Sequence, residues 1–225
     1  MNKYVPLFIF MATLVACADR NVYKSGNFST QSEEVHTVAV LPVNITNTGY
    51  RPRNVTEEMM NESNERWAYT FQESLYNYLL EHSGRKRKGP MVQFQPLQST
   101  LNILAQNNLK VRDIYTRSPE ELSRMLGVDA VILTSLQQHK NMSDGAAYGV
   151  FAARTILNQT RYRPATLPLY LSAGNVSIHS YLYKQTKGEL LWKTYRQGGT
   201  DIPAQEEGIV EYFTNWVARK FPFRS

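Results

Sequence analysis

Two stretches of nearly continuous apolar residues predict buried strands near the centre of a sheet. The first is VHTVAVLPV at residues 35–43, and the second is VDAVILTSL at residues 128–136. Both are rich in β-branched and aliphatic side chains, which is typical of strands covered on both faces. We therefore expect residues 38–41 and 131–133 to lie at the centre of the sheet.

Apolar residues at helical spacing predict helices around these strands. A stripe that recurs every four positions predicts a long helix over residues 56–82, with Trp67, Phe71, Leu75 and Leu79 facing inward. A last helix is predicted over residues 206–221, with Ile209, Phe213, Trp216 and Val217 facing inward. These faces would cover one side of the sheet.

The clearest local signal is the block that leads into the second apolar run. Ser118, Pro119 and Glu121 form a capping box with proline at the first helical position, and Gly127 stands where a left-handed C-cap is needed. A short helix that passes through one glycine into an apolar strand is a typical α/β unit.

The remaining segments complete the predicted sheet. Residues 91–97 indicate a second strand, residues 99–109 a short helix, and residues 44–54 a loop. Residues 176–183 alternate between apolar and polar side chains and form a predicted hairpin with residues 189–195. The pattern predicts an α/β fold, a mixed sheet with flanking helices in two or three layers. We expect one domain over residues 35–225, with an insertion at residues 139–170.

The amino terminus has the features of a lipoprotein leader. Lys3 precedes an apolar stretch of about 12 residues, too short for the ~20 that span a bilayer, so residues 1–16 are predicted to be a signal peptide. The sequence LVAC resembles a bacterial lipobox, which would make Cys17 the diacylated new terminus; the alternative is an ordinary signal peptide with an incidental buried cysteine. Ala18 after the cysteine favours the outer membrane. Residues 17–34 are polar and predict a lipidated terminus with a flexible tether.

The charge and cysteine content exclude several classes of protein. The net charge of +6 is scattered apart from the run RKRK at residues 85–88, so we expect no nucleic-acid partner. A solvated loop explains that run better than a patch for anionic lipid or nucleic acid. The single cysteine excludes a disulfide framework and any site with several cysteine ligands.

Signals for catalysis are missing, so the chain is not predicted to be an enzyme. No nucleophile elbow, Walker A, Rossmann or zinc-protease motif is present. Paired glutamates at 57–58 and 120–121 fall in predicted first turns, where the helix dipole explains them. We expect no catalytic residue, no metal and no cofactor, because the histidines stand apart in sequence, at His36, His82, His139 and His179.

The fourteen tyrosines could build a platform for carbohydrate or peptide, but ordinary packing is the simpler explanation. The insertion holds a second candidate surface. Small residues and the apolar side chains Val150, Phe151, Ile156 and Leu157 predict either a helix packed on its own domain or an interface for a partner or a second copy.

The order of three blocks resembles a family of uncharacterised Gram-negative lipoproteins that includes a neisserial vaccine candidate. These blocks are VAVLPVNITN, NNLKVRDIYTRSPEELSRMLGVDAVILTSL and YLYKQTKGELLWK. The turn KGELLW also resembles relatives of the curli secretion lipoprotein and of penicillin-binding-protein activators. The resemblance implies a fold like the amino-terminal domain of TolB and no catalytic residues.

Three functional hypotheses follow from these features. The first is a lipid-anchored outer-membrane protein that faces the periplasm and whose non-catalytic domain binds other envelope proteins, in an export or assembly complex. The second is a regulator of a peptidoglycan synthase, which a tether averaging only ~25 Å disfavours. The third is a pore subunit of a curli-like exporter, for which the prolines near residues 165–173 leave no convincing pair of membrane strands.

Overall fold

The computed structural model describes residues 21–51, 55–143, 145–146, 149, 174–200 and 207–225. The strands are β1 (Val22–Lys24), β2 (Thr37–Val40), β3 (Asn44–Gly49), β4 (Gln93–Phe94), β5 (Ala130–Lys140), β6 (Gly174–Lys184) and β7 (Leu190–Thr200). The helices are α1 (Phe28–Glu33), α2 (Glu57–Gly84), α3 (Leu97–Gln106), α4 (Val111–Ile114), α5 (Pro119–Leu126) and α6 (Glu207–Lys220). The strands form one mixed sheet in the order β1-β7-β6-β5-β2-β4, and β3 also pairs with β5.

Strand β5 holds the sheet together because it has partners on both sides along its length. It pairs antiparallel with β6 over all its residues, and parallel with β2 and then β3 on its other side. The two buried strands predicted from the apolar runs are therefore confirmed. The loop predicted for residues 44–54 is wrong over Asn44–Gly49, where a short edge strand rich in asparagine, a poor strand former, gives little pattern.

One face of the sheet, the covered face, is packed against α2 and α6. The helices are also joined to the sheet and to each other by hydrogen bonds, since the Gln72 side chain donates to the Val40 carbonyl at 2.7 Å and the Ser74 and Thr214 hydroxyls lie 2.8 Å apart. Both long helices are confirmed. The buried core on this face includes Val38, Val40, Phe71, Leu75, Leu79, Ile132, Ile178, Leu182, Trp192, Phe213 and Val217.

The opposite face carries the three short helices α3, α4 and α5. They bury a second, smaller apolar cluster against β2 and β5. The capping predicted for α5 is confirmed, since the Ser118 side chain accepts from the Glu121 N–H at 3.2 Å and Gly127 has a φ of 68°. Helices on both faces give three layers, which confirms the predicted fold class. The members of this cluster are Ala39, Leu41, Leu104, Ile114, Leu122, Leu126, Val128, Val131 and Leu133.

The tether predicted for residues 17–34 is wrong from Val22 onward. Strand β1 adds to the edge of β7, the Ser25 N–H donates to the Leu191 carbonyl at 2.9 Å, and Phe28 packs against the core. A strand of three residues is too short to carry a periodic signal, and the edge of β7 supplies its hydrogen-bond partners. The predicted signal peptide, Cys17 and most of the insertion, including Val150, Phe151, Ile156 and Leu157, lie outside the described residues.

Candidate functional site

Helices α3 to α5 cover only part of their face of the sheet, and within the described residues no helix packs on the rest. Strand register places polar and aromatic side chains side by side there, since His179 pairs with Tyr195 across β6 and β7 and Tyr181 pairs with Lys193. We call this surface the open sheet face; it comprises Tyr23, Ser135, Gln137, His139, Ser177, His179, Tyr181, Lys193, Tyr195 and Gln197.

Aromatic rings form a continuous ladder on the open sheet face. The His179 ring lies 4.5 Å from that of Tyr195 and stacks on Tyr181 at 6.3 Å, and Tyr181 in turn stacks on Tyr183 at 5.9 Å. The Lys193 ammonium lies 5.8 Å from the centre of the Tyr23 ring. Rigid rings with polar tips offer contact area at little entropic cost, as binding surfaces require.

The electrostatics of the ladder favour uncharged rings. Burial lowers the pKa of His179 below its ordinary value, and the nearby charge of Lys193 lowers it further. Burial, followed by the neighbouring Tyr181, raises the pKa of Tyr183. Both shifts favour the neutral form of the His179 imidazole and of the Tyr183 phenol, and Lys193 supplies the positive charge beside His179. The ladder can donate and accept hydrogen bonds, but it lacks a carboxylate that could act with the imidazole in catalysis.

The Tyr115 hydroxyl supplies hydrogen bonds to the sheet beside the open sheet face. Pro42 has no N–H and interrupts the chain between β2 and β3, and the Tyr115 hydroxyl fills the gap. It accepts from the N–H groups of Asn44 and Thr134 at 3.2 Å each and lies 2.8 Å from the Pro42 carbonyl and 2.5 Å from the Thr134 carbonyl. Burial of the hydroxyl raises the pKa of Tyr115 far above its usual range, although hydrogen bonds from the Asn44 and Thr134 N–H groups oppose this. This residue is structural.

The Asp129 carboxylate also has a structural role. Its oxygen accepts from the N–H groups of His36 and Thr37 at 2.9 and 2.8 Å and from the Thr37 hydroxyl at 3.0 Å. Burial alone would raise the pKa of Asp129, but these hydrogen bonds outweigh it and lower the pKa. The carboxylate therefore fixes the start of β2 beside the start of β5.

Two grooves flank α2, and neither brings together a set of catalytic groups. One of about 500 Å³ lies between α2 and α6 and is lined by aromatic and acidic side chains, among them Trp67, Tyr78, Glu73, Glu81 and Glu211. The other, of about 470 Å³, lies between α2, β3 and α4 and is lined by Glu58, Glu62, Glu65, Lys110 and Arg112. Both are open surface grooves with mixed polar linings.

The candidate residues from the sequence are not brought together. Among the described residues, no three histidine, cysteine, aspartate or glutamate side chains lie close enough to hold a metal ion. His82 contacts Asn215 at 2.9 Å and His139 contacts Thr48 at 3.0 Å, in separate parts of the fold. Within the same residues, no helix combines the length and hydropathy needed to cross a bilayer. Cys17 and the apolar residues of the insertion stay predictions.

Comparisons with known proteins give matches to solved structures. No family model and no curated protein matches the chain. Lipoprotein GNA1162 from Neisseria meningitidis is 15% identical over 82% of this chain and 96% of its own, with a TM-score of 0.37. The LpoB C-terminal domain from Salmonella enterica is 14% identical over 73% and 83%, with a TM-score of 0.38. PelC from Paraburkholderia phytofirmans, described as a dodecamer, is 12% identical over 91% and 98%, with a TM-score of 0.39.

A neisserial lipoprotein is thus among the structural neighbours, as the resemblance of the three sequence blocks predicted. The identities of 12–15% are low, so the likeness concerns the fold alone.

Proposed function

We propose that this chain is an outer-membrane lipoprotein, anchored through Cys17 and facing the periplasm, whose α/β domain binds other envelope proteins through the open sheet face. The observation that carries the proposal is the aromatic ladder of His179, Tyr181 and Tyr195 on a part of the sheet that no described helix covers. An export or assembly complex is the setting that we infer for this binding.

The shape of the surface supports a protein partner over a small molecule. The open sheet face extends across β5, β6, β7 and β1, which at about 4.8 Å between strands is roughly 15 Å wide. It is a surface rather than an enclosed pocket, and small ligands are usually held in concave sites that bury most of their area. Tyrosine is enriched in protein interfaces, because its ring is apolar and its tip forms hydrogen bonds.

A non-catalytic role is supported by the surroundings of the side chains whose pKa values are shifted. Tyr115 and Asp129 are held by backbone groups of the sheet, and His179 lies among tyrosines and a lysine. Residues with shifted pKa values often mark active sites, but the shifts of Tyr115, Asp129 and His179 follow from burial and from the neighbours named above. We therefore infer binding without chemistry.

The length of the free tether bears on the choice of partner. Only residues 17–20 separate the proposed lipid anchor from the described domain, and four residues span at most ~14 Å. The domain would stay beside its membrane, so contact with a partner embedded in or lying on that membrane is favoured. The alternative of a regulator that reaches across the periplasm to a peptidoglycan synthase is correspondingly disfavoured.

The anchor is tested by the variant Cys17→Ala. We expect the wild-type protein to incorporate labelled palmitate and to fractionate with outer membranes, whereas the variant should incorporate no label and leave the membrane pellet. The proposal of a lipid anchor fails if the wild type takes up no palmitate and the variant still fractionates with outer membranes.

The binding surface is tested by photocrosslinking in intact envelopes. A photoreactive amino acid replaces Tyr181 or Tyr195 on the open sheet face, and Tyr69 on α2 serves as the control because its side chain is also exposed, at 38%. We expect a discrete adduct, of the same mass from positions 181 and 195, that is absent from position 69. Equal labelling from all three positions, or none from positions 181 and 195, contradicts the proposal.

A further inference from the structure

Positive charge is concentrated at the end of the molecule where α2 and β1 finish. Lys24 ends β1, and the loop after α2 carries Lys86, Arg87 and Lys88. We call Lys24, Lys86, Arg87 and Lys88, together with the adjacent Met91, the basic end. Lys24, Arg87 and Lys88 are exposed, and Lys86 is half-buried with its ammonium bonded to the Phe221 carbonyl.

The folded structure, rather than the sequence run alone, brings these charges together. Lys24 lies 62 positions before Lys86 in the chain, yet its charge, after burial, lowers the pKa of Lys86. Aromatic packing brings the two lysines to one place, since Phe28 lies against the Lys24 ammonium at 5.2 Å and against the Phe223 ring at 5.5 Å. The Phe223 ring lies 5.5 Å from the ring of Phe221, whose carbonyl accepts from the Lys86 ammonium. Like charges are costly to hold close, so a surface that does so favours an anionic partner.

The carboxylates of Glu81 and Glu34 are paired with cations outside the basic end. Glu81 pairs with Arg85 at 2.8 Å, and Glu34 pairs with Lys184. Among the described residues, Lys24, Arg87 and Lys88 form no ion pair of their own. Their positive charge is therefore available to an external ligand.

An apolar side chain stands beside these charges. Met91 is 59% exposed, the highest value among the exposed large hydrophobic side chains of the described residues. Its backbone is fixed, because Met91 bridges to Arg224 and the Val92 N–H donates to the Arg224 carbonyl at 2.7 Å. A rigid exposed apolar side chain next to several cations matches the boundary between lipid headgroups and acyl chains.

The position of the proposed anchor matches this surface. Lys24 lies three residues beyond Asn21, about 10 Å along a strand, and residues 17–20 reach at most ~14 Å from Asn21. A lipid on Cys17 can therefore enter the same membrane plane that the basic end touches. We propose that the basic end docks on the headgroups of an anionic membrane and so fixes the orientation of the domain; this rests on the lipid anchor of the proposed function.

The test uses the full lipoprotein, purified in detergent and reconstituted into vesicles. Met91→Cys, labelled with an environment-sensitive fluorophore, reports contact with spin-labelled lipid, because the acylated Cys17 cannot react. Met59→Cys is the matched control, since Met59 is 53% exposed and lies near the start of α2, whereas the basic end follows the end of that helix. Intact mass measures the acyl groups on Cys17 independently.

We expect strong quenching at position 91 and little at position 59 in vesicles with 30 mol% phosphatidylglycerol, and much less at 91 in purely zwitterionic vesicles or in high salt. Arg87→Ser with Lys88→Ser should lower the ratio of docked to undocked protein roughly 30-fold, at about fivefold per charge. Lys110→Ser with Arg112→Ser removes the same charge from exposed residues on and beside α4 and should leave quenching unchanged.

Equal quenching at positions 91 and 59 in a protein that carries acyl groups overturns the docking proposal and leaves the anchor intact. Quenching that is indifferent to phosphatidylglycerol and to the loss of Arg87 and Lys88 also overturns it, because charge would then play no part. An intact mass without acyl groups instead overturns the anchor, and with it the docking that depends on a short tether.

Discussion

The two faces of the sheet differ in how completely the described helices cover them. On the covered face, α2 and α6 bury a continuous apolar cluster that extends from β2 across to β7. On the other face, α3, α4 and α5 are short, and their cluster ends at Leu133 and Tyr183. Beyond this limit the side chains of β5, β6 and β7 are polar or aromatic and stay half-exposed or exposed.

This difference separates stability from binding within one sheet. Burial of apolar area supplies most of the free energy of folding, and it is concentrated on the covered face. Rings on the open sheet face contribute less, because each keeps part of its surface in water. A change on the covered face should therefore unfold the protein, whereas a change on the open sheet face should alter binding and leave the fold intact.

The largest effect is expected from a charge placed on the covered face. Ile132 in β5 is 1% exposed, and Ile132→Asp would bury an unpaired carboxylate. We expect a loss of about 4 kcal/mol or more in the free energy of unfolding, measured by denaturant titration. Gln137→Asp is the matched control on the exposed side of the same strand and should cost less than about 1 kcal/mol. Equal stability of the two variants would show that the faces do not differ as described.

A smaller but still large effect is expected where the open sheet face meets the core. Tyr115→Phe removes the hydroxyl that accepts hydrogen bonds from the N–H groups of Asn44 and Thr134. We expect a loss of about 3 kcal/mol in the free energy of unfolding, since each buried polar group left without a hydrogen-bond partner costs about 1–3 kcal/mol. Tyr181→Phe, whose ring is half-exposed, should be nearly neutral. A neutral Tyr115→Phe would show that the hydroxyl does not bridge the strands.

Helices α2 and α5 and the central strands were predictable because their signals are local. A four-residue spacing predicts α2, capping residues Ser118 and Gly127 predict α5, and two apolar runs predict β2 and β5. The edges were not predictable. Strands β1 and β3 are short and lack an apolar run, and they form because the edges of β7 and β5 supply backbone hydrogen-bond partners. That information lies in the partner strand, so a local pattern cannot contain it.

The candidate site was predictable only in part for a similar reason. Alternation along residues 176–183 places His179, Tyr181 and Tyr183 on one side of a strand, as the structure has them. Whether a helix covers that side depends on where α3 to α5 pack. Their packing positions cannot be predicted from a local sequence pattern. The role of Tyr115 was missed because it depends on a break at Pro42 and on Thr134, residues far apart in sequence.

The loss of an aromatic ring should cost less stability on the open sheet face than on the covered face. Tyr195→Ala removes a half-exposed ring that contacts His179, and we expect a cost of about 1 kcal/mol, the size of an aromatic pair. Phe71→Ala on the covered face, where the side chain is fully buried, should cost about 3–5 kcal/mol. Thermal unfolding of both variants measures the difference. Similar costs would mean that Tyr195 belongs to the core and that the open sheet face is not a separate surface.

The smallest expected effect is a pH dependence confined to the open sheet face. Burial and then Lys193 lower the pKa of His179, so the unfolded chain binds a proton more readily than the folded one. Stability should therefore fall as the pH falls below about 6.5, the ordinary pKa of histidine, and this loss should be smaller in His179→Gln. Lys193→Gln should also reduce the loss of stability, because it removes one cause of the pKa shift, while Tyr181 and Tyr195 stay in contact with the His179 ring.

Asp129 does not mask this effect, since its pKa is lowered and its contribution to stability is lost only below about pH 4. Melting temperatures measured between pH 7.5 and 5 give the change of stability with pH. The same change in wild type and in His179→Gln would show that this surface does not hold the imidazole in its neutral form.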